Sequence, residues 1–232
     1  MRKVLSIVLK MLIGVSSLLG VVLACVFAVR DGYSQWFRRM FYFTQQSNVW
    51  IGVTCLVMGI LLIVGIVKGK DYVKNYMYVC KYIFTVSITI TGLIFCGLLA
   101  PFADYNVWVF SSVLTHVVVP VLSIADFFVD DYKIDFKRFH IFLTLIPPFA
   151  WFVFASVLCL AKVDFGKGEA YPYFFMNYFS EVGMFGFKNT QPRPEIGSFY
   201  WILFILGLIL LIGFVYYKLR ILIQNKWLKN KE

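Results

Sequence analysis

The chain has 232 residues, 61% hydrophobic and 15% charged, with 25 Phe and 14 Tyr. A soluble domain of that length has no interior large enough for so much apolar surface, and its charged fraction is usually nearer a quarter. The net charge of +10 does not point to nucleic acid, because the cations lie between apolar runs and at the C-terminus, with no basic helix or Gly-rich RNA signature.

Crossing a ~30 Å hydrocarbon core takes about 20 apolar residues. Six runs qualify: 4–29, 41–67, 76–100, 107–129, 139–161 and 199–223. They predict an all-α fold, a polytopic helix bundle forming one transmembrane domain over 1–232. The connections are short except for the segment 162–198. With the N-terminus inside, 15 of the 22 Lys and Arg fall on the inner side and 7 on the outer, so both termini are expected to be cytoplasmic. The opening M-R-K and the stretch V-L-A-C (Val22–Cys25) resemble a cleavable leader. Lys10 interrupts that run, however, and V-F-A-V continues it past Cys25, which predicts an uncleaved first helix. All five cysteines lie in apolar runs without metal-ligand spacing and read as small buried hydrophobes. No metal and no soluble cofactor are implied; the expected partners are membrane lipids.

The second run opens F-Y-F-T-Q-Q-S-N-V-W, with five polar residues from Thr44 to Asn48. Thr44, Ser47 and Asn48 are spaced i, i+3, i+4 and share one helix face. Gln45 and Gln46 point elsewhere and are expected to reach water or headgroups. Such residues often join membrane helices by hydrogen bonds. In the fourth run, His116 sits ~12 Å below an outer boundary at Trp108, and an ionisable residue at that depth is costly. Pro120, four residues on, deprives the His116 carbonyl of its helical partner and predicts a kink there. Ser123 returns to the His116 face. Thr44 and His116 belong to the same outer half, and a hydroxyl beside an imidazole is the minimum equipment for nucleophilic acyl transfer. Ser47 or Asn48 would then supply oxyanion donors.

No carboxylate is placed to orient His116. Asp126 is ~15 Å deeper, while Asp104 and Asn106 fall at the outer mouth. The other histidine, His140, is expected at the cytoplasmic interface beside Lys137 and Arg138. The alternative is a transporter or channel in which Thr44, Asn48, His116 and Asp126 line a pathway, with Pro120 and Pro147–Pro148 giving mobile helices. The outer segment holds Y-P-Y-F-F-M-N-Y-F, six aromatics in nine residues, too apolar for a solvated loop. Tyr171, Tyr173, Phe174 and Phe175 are its candidate lid, with Gly183 and Gly186 permitting movement.

F-T-Q-Q-S-N (Phe43–Asn48), H-V-V-V-P (His116–Pro120) and Y-P-Y-F (Tyr171–Phe174) together resemble a family of multi-span proteins. It comprises bacterial integral membrane proteins with an F-T-x-x-S-N motif and their eukaryotic relatives, the androgen-induced and androgen-dependent intramembrane threonine hydrolases. In the eukaryotic members the polar residue after the threonine falls at +3, which here is Ser47; Asn48 is at +4. The resemblance implies hydrolysis of lipid esters, such as fatty acid esters of hydroxy fatty acids, in a bacterial cell membrane. Thr44 would be the nucleophile and His116 the general base. An acyltransferase would use the same pair.

Overall fold

The computed structural model describes residues 2–103, 105–130, 132, 134–189 and 195–229, with side chains through Lys226. Asp104, and Lys133, Arg193 and Lys231 of the charge count, lie outside the described residues. Among the described residues, six helices are long and apolar enough to span a membrane: α1 (Arg2–Val26), α2 (Phe43–Lys68), α3 (Asn75–Phe102), α4 (Phe110–Val129), α5 (His140–Leu160) and α6 (Ser198–Lys229). The protein is a multi-pass integral membrane protein, an all-α bundle whose helices follow the six apolar runs. An even number of spans puts both termini on one face, the terminal face; the opposite one is called outer below.

Helices α1 to α4 form the tight part of the bundle, and small residues allow it. Gly52 of α2 leaves room for Ser17 of α1, and a Cβ on Gly20 of α1 would lie 2.7 Å from Thr115 Cγ2 of α4. Ile13, Ile51, Cys55, Ile88 and Val119 fill the centre between these four helices. Helix α2 stops at Gly69, whose φ of 61° is the left-handed cap conformation and whose N–H returns to the Gly65 carbonyl.

Near the terminal face, four ionisable groups are buried together. Lys10 of α1 lies 3.2 Å from Asp126 and 2.6 Å from Asp130, and Ser6 donates to Asp126 at 2.7 Å. Lys81 of α3 pairs with Asp126 and lies 3.5 Å from Asp130. Lys10 and Asp126 have 0% exposed side chain. Desolvation of such charges is tolerable only because each meets opposite charge. Lys10, which interrupts an apolar run in the sequence, is therefore an interior residue that fixes α1 against α4, whose carboxylates Lys81 of α3 shares.

Helices α5 and α6 lie outside this core. They meet near the terminal face through His140–Leu143 and separate toward the outer face. Thr144 abuts Gly213 there, and Tyr82 donates to the Gly213 carbonyl at 2.8 Å. Arg220 of α6, fully buried, donates to the carbonyls of Phe127 at 2.9 Å and Tyr132 at 2.7 Å. His140 begins α5 at its terminal-face end beside Lys137, packed against Phe136 and Phe139, and its Nδ1 accepts the Lys137 N–H. Cys80 and Cys96 depart from expectation, since both are exposed at the surface of the bundle; Cys55 and Cys159 are buried.

On the outer face the segment 162–168 is clamped onto the stretch before α2. Asp164 accepts from Ser34 at 2.9 Å and from the N–H groups of Gly166 and Gly168, and Arg38 donates to its carbonyl. Burial pushes the Asp164 carboxyl up, but those bonds and Arg38 together hold it below its usual range. Gly166 has φ of 123° and is covered by the Tyr33 ring, so no other residue fits. A short ribbon, β1 (Phe187–Lys188) with β2 (Glu195–Ile196), precedes α6.

Removing one member of the buried ion cluster leaves uncompensated charge. Asp126→Asn should lower the unfolding free energy in detergent by about 3–5 kcal/mol. An unchanged melting temperature would show that the cluster contributes nothing to the bundle.

Candidate active site

Pro120 builds the first half of the site. Its ring would collide with the His116 carbonyl in a regular helix, and it offers no N–H. Instead of a simple kink, α4 widens into a π-helical turn over Leu114–Val118, in which the Val119 N–H bonds to the Leu114 carbonyl. Helix α3 does the same before Pro101: Phe95–Leu99 is a π turn, with the Ala100 N–H on Phe95. The two turns face each other, and the Phe95 ring stacks on the His116 imidazole at 3.7 Å and 16°. Gly92 of α3 sits against the freed carbonyl; a Cβ there would lie 2.9 Å from the His116 oxygen and 3.2 Å from Pro120.

The second half is the first turn of α2. Thr44 Oγ1 lies 3.2 Å from His116 Nε2, across the two helices. His116 Nδ1 lies 2.9 Å from the Ser112 carbonyl, with the Ser112 hydroxyl at 3.1 Å and the Thr115 hydroxyl at 3.2 Å. A carbonyl only accepts, so Nδ1 carries the proton and Nε2 presents its lone pair to Thr44. The group that orients His116 is thus a backbone carbonyl one turn earlier on the same helix. No side-chain pattern in the sequence could reveal it.

The other polar residues of the cluster serve the backbone. Asn48, fully buried, spends both amide hydrogens on the carbonyls of Thr44 at 2.8 Å and Thr115 at 3.1 Å, tying α2 to α4. Ser47 lies 3.1 Å from the Thr44 carbonyl and 2.8 Å from the Thr91 hydroxyl. The oxyanion role expected of Ser47 and Asn48 does not fit this arrangement: their donors are occupied, and the one unpartnered atom, Asn48 Oδ1, is an acceptor. Gln45 is buried rather than reaching headgroups, while Gln46 donates to the Met40 carbonyl at 3.0 Å. Ser123 is also buried on the His116 side of α4. Asp126 belongs to the ion cluster and takes no part here.

Beside Thr44, on the side away from His116, lies a cavity of about 110 Å³. One water needs only ~10–15 Å³, so a hydrocarbon segment fits. Its wall is almost wholly apolar, drawn from α2, α3, α5, α6 and the outer segment; Thr44, Thr91 and Tyr173 are the polar residues on it. His116 is not on that wall. Phe149 of α5 lines the cavity and is 57% exposed, which places an edge of the cavity at the lipid-facing gap between α5 and α6. Trp151, also on the wall, donates to the Phe41 carbonyl at 2.9 Å and fixes α5 against the start of α2.

The aromatic stretch dips into the outer end of this gap. Phe174–Met176 is a 3-10 turn, Phe175 and Met176 are buried, and Tyr173, Phe175 and Met176 face the cavity. Tyr171 and Phe174 pack at the edge of the same core. Gly183 (φ 55°) and Gly186 lie beyond this plug, in the turn leading to β1. Burial pushes the Tyr173 phenol up to about 12. Among the described residues no group of three or more His, Cys, Asp or Glu gathers as a metal site. The chain was compared with family models, curated proteins and solved structures, and none matched.

The Gly92 contact is open to test. Gly92→Ala drives a methyl against the His116 carbonyl and should cost about 1–3 kcal/mol through overpacking. Gly207→Ala in α6, where a Cβ meets nothing within 4 Å, is the matched control and should not lower the melting temperature. Equal behaviour of the two variants would remove the packing constraint from the account.

Proposed function

We propose that this chain is an intramembrane hydrolase of lipid esters, or an acyltransferase using the same chemistry, in a bacterial cell membrane. The observation that carries this reading is the Thr44 hydroxyl, 3.2 Å from an imidazole nitrogen free to accept its proton, on the wall of an apolar cavity. The F-T-Q-Q-S-N, H-V-V-V-P and Y-P-Y-F resemblance supports it.

In the proposed reaction the acyl chain of the substrate occupies the cavity, entering from lipid between α5 and α6. Thr44 Oγ1 attacks the ester carbonyl as its proton passes to His116 Nε2. The carbon–oxygen π pair becomes an oxyanion. Collapse breaks the bond to the leaving alkoxide, which takes the proton from Nε2. A water (or a second alcohol) then attacks the acyl-threonine, gives its proton to His116, and the released Thr44 oxygen recovers it. The acid and the alcohol depart separately.

A conduction pathway through Thr44, Asn48, His116 and Asp126 draws no comparable support. Asn48 and Asp126, which such a pathway must wet, have no exposed surface.

Turnover of a long-chain ester by the purified protein tests the reading. Thr44→Ala should abolish it, and Thr44→Ser should retain part, because a hydroxyl remains. His116→Ala should lower it by about 10²–10⁴-fold, the usual cost of losing a general base. Wild-type turnover by Thr44→Ala would remove Thr44 from the reaction.

A further inference from the structure

With Ser47 and Asn48 committed to backbone carbonyls, acyl transfer at Thr44 lacks the oxyanion donor that the chemistry requires. We infer that Tyr173 is that donor, and so a third catalytic residue; the inference rests on the reading of Thr44 as nucleophile.

Its phenol oxygen is 3.4 Å from Thr44 Oγ1, on the cavity side and opposite His116. The separation is long for a resting O–H···O bond. An oxyanion, however, sits on the same tetrahedral carbon that becomes bonded to Oγ1. A small rotation of the phenol hydrogen therefore redirects it from one oxygen to the other. The polarity of the site is consistent along its length: Tyr173 donates to Thr44, Thr44 to His116 Nε2, and His116 Nδ1–H to the Ser112 carbonyl.

Two features pre-set the phenol for this work. Its oxygen lies beside the first turn of α2, 3.4 Å from Thr44 Oγ1. The positive end of the helix dipole favours negative charge there. The ring is held by Tyr42 at 5.7 Å, Trp151 at 5.7 Å and Phe175 stacked at 5.1 Å. Raised by burial to about 12, the phenol stays protonated across the neutral range.

The geometry also orders the substrate. The carbonyl oxygen points to Tyr173, the acyl chain runs into the cavity, and the alcohol leaves on the His116 side, where it collects its proton. In the step itself Tyr173 keeps its proton and shares it with the oxyanion. No atom is transferred to or from it.

Tyr173→Phe in the full-length protein isolates the hydroxyl, because the ring contacts remain. We expect kcat to fall about 10²–10³-fold for long- and short-chain esters alike, as for loss of one oxyanion donor. KM should stay within about twofold of wild type, since ground-state binding loses nothing. Ile205→Ala in α6, which alters the cavity wall away from the ring contacts of Tyr173, should instead raise KM for long chains. Turnover of Tyr173→Phe near wild type, alongside an inactive Thr44→Ala, would overturn the Tyr173 assignment and leave the nucleophile standing. A loss confined to KM for long chains would also overturn it, making Tyr173 part of the wall. Wild-type protein inert toward every ester would remove the hydrolase reading, and this inference with it.

Discussion

Inside a bilayer there is no water to rescue an unpaired polar group, and the architecture of this protein answers to that constraint. Each proline or charge placed in a span must be accommodated by a neighbouring helix. Pro120 frees a carbonyl and widens α4 into a π turn; Gly92 lets α3 close on it. Lys10, Lys81, Asp126 and Asp130 neutralise one another across three helices. The polar face of α2 is spent largely on backbone carbonyls of α2 and α4. After these demands are met, Thr44 and His116 remain facing each other, and a protein-lined cavity lies beside them.

The bundle divides its labour accordingly. Helices α1 to α4 are locked by close backbone contacts and the ion cluster, which keeps the Thr44–His116 distance fixed. Helices α5 and α6 join at one end only, so the gap between them can open without disturbing the Thr44–His116 contact. The aromatic stretch 171–176 belongs to both halves. It fills the outer end of the gap and, through Tyr173, reaches Thr44.

Much of this was legible in the sequence because it is periodic or local. Six apolar runs give six helices, and the i, i+3, i+4 spacing puts Thr44, Ser47 and Asn48 on one buried face. A lone deep histidine before a proline marks the partner helix. What escaped depends on partners distant in sequence or on backbone atoms. The orienting group of His116 is a carbonyl. The partner of Lys10 is 116 residues away. Gln45 is buried, and helical spacing alone carries no trace of that. Tyr173 could be picked out as part of an aromatic stretch, but its approach to Thr44 across 129 residues is a property of the fold.

The central claim is that Thr44 is a nucleophile rather than a polar helix contact. Incubation with a fluorophosphonate probe, followed by peptide mapping of the adduct, addresses it without knowledge of the natural substrate. The account predicts a covalent phosphonyl adduct on the Thr44 hydroxyl, lost when His116 is replaced. Absence of any adduct on the folded protein, or an adduct on another residue that persists in Thr44→Ala, would contradict it.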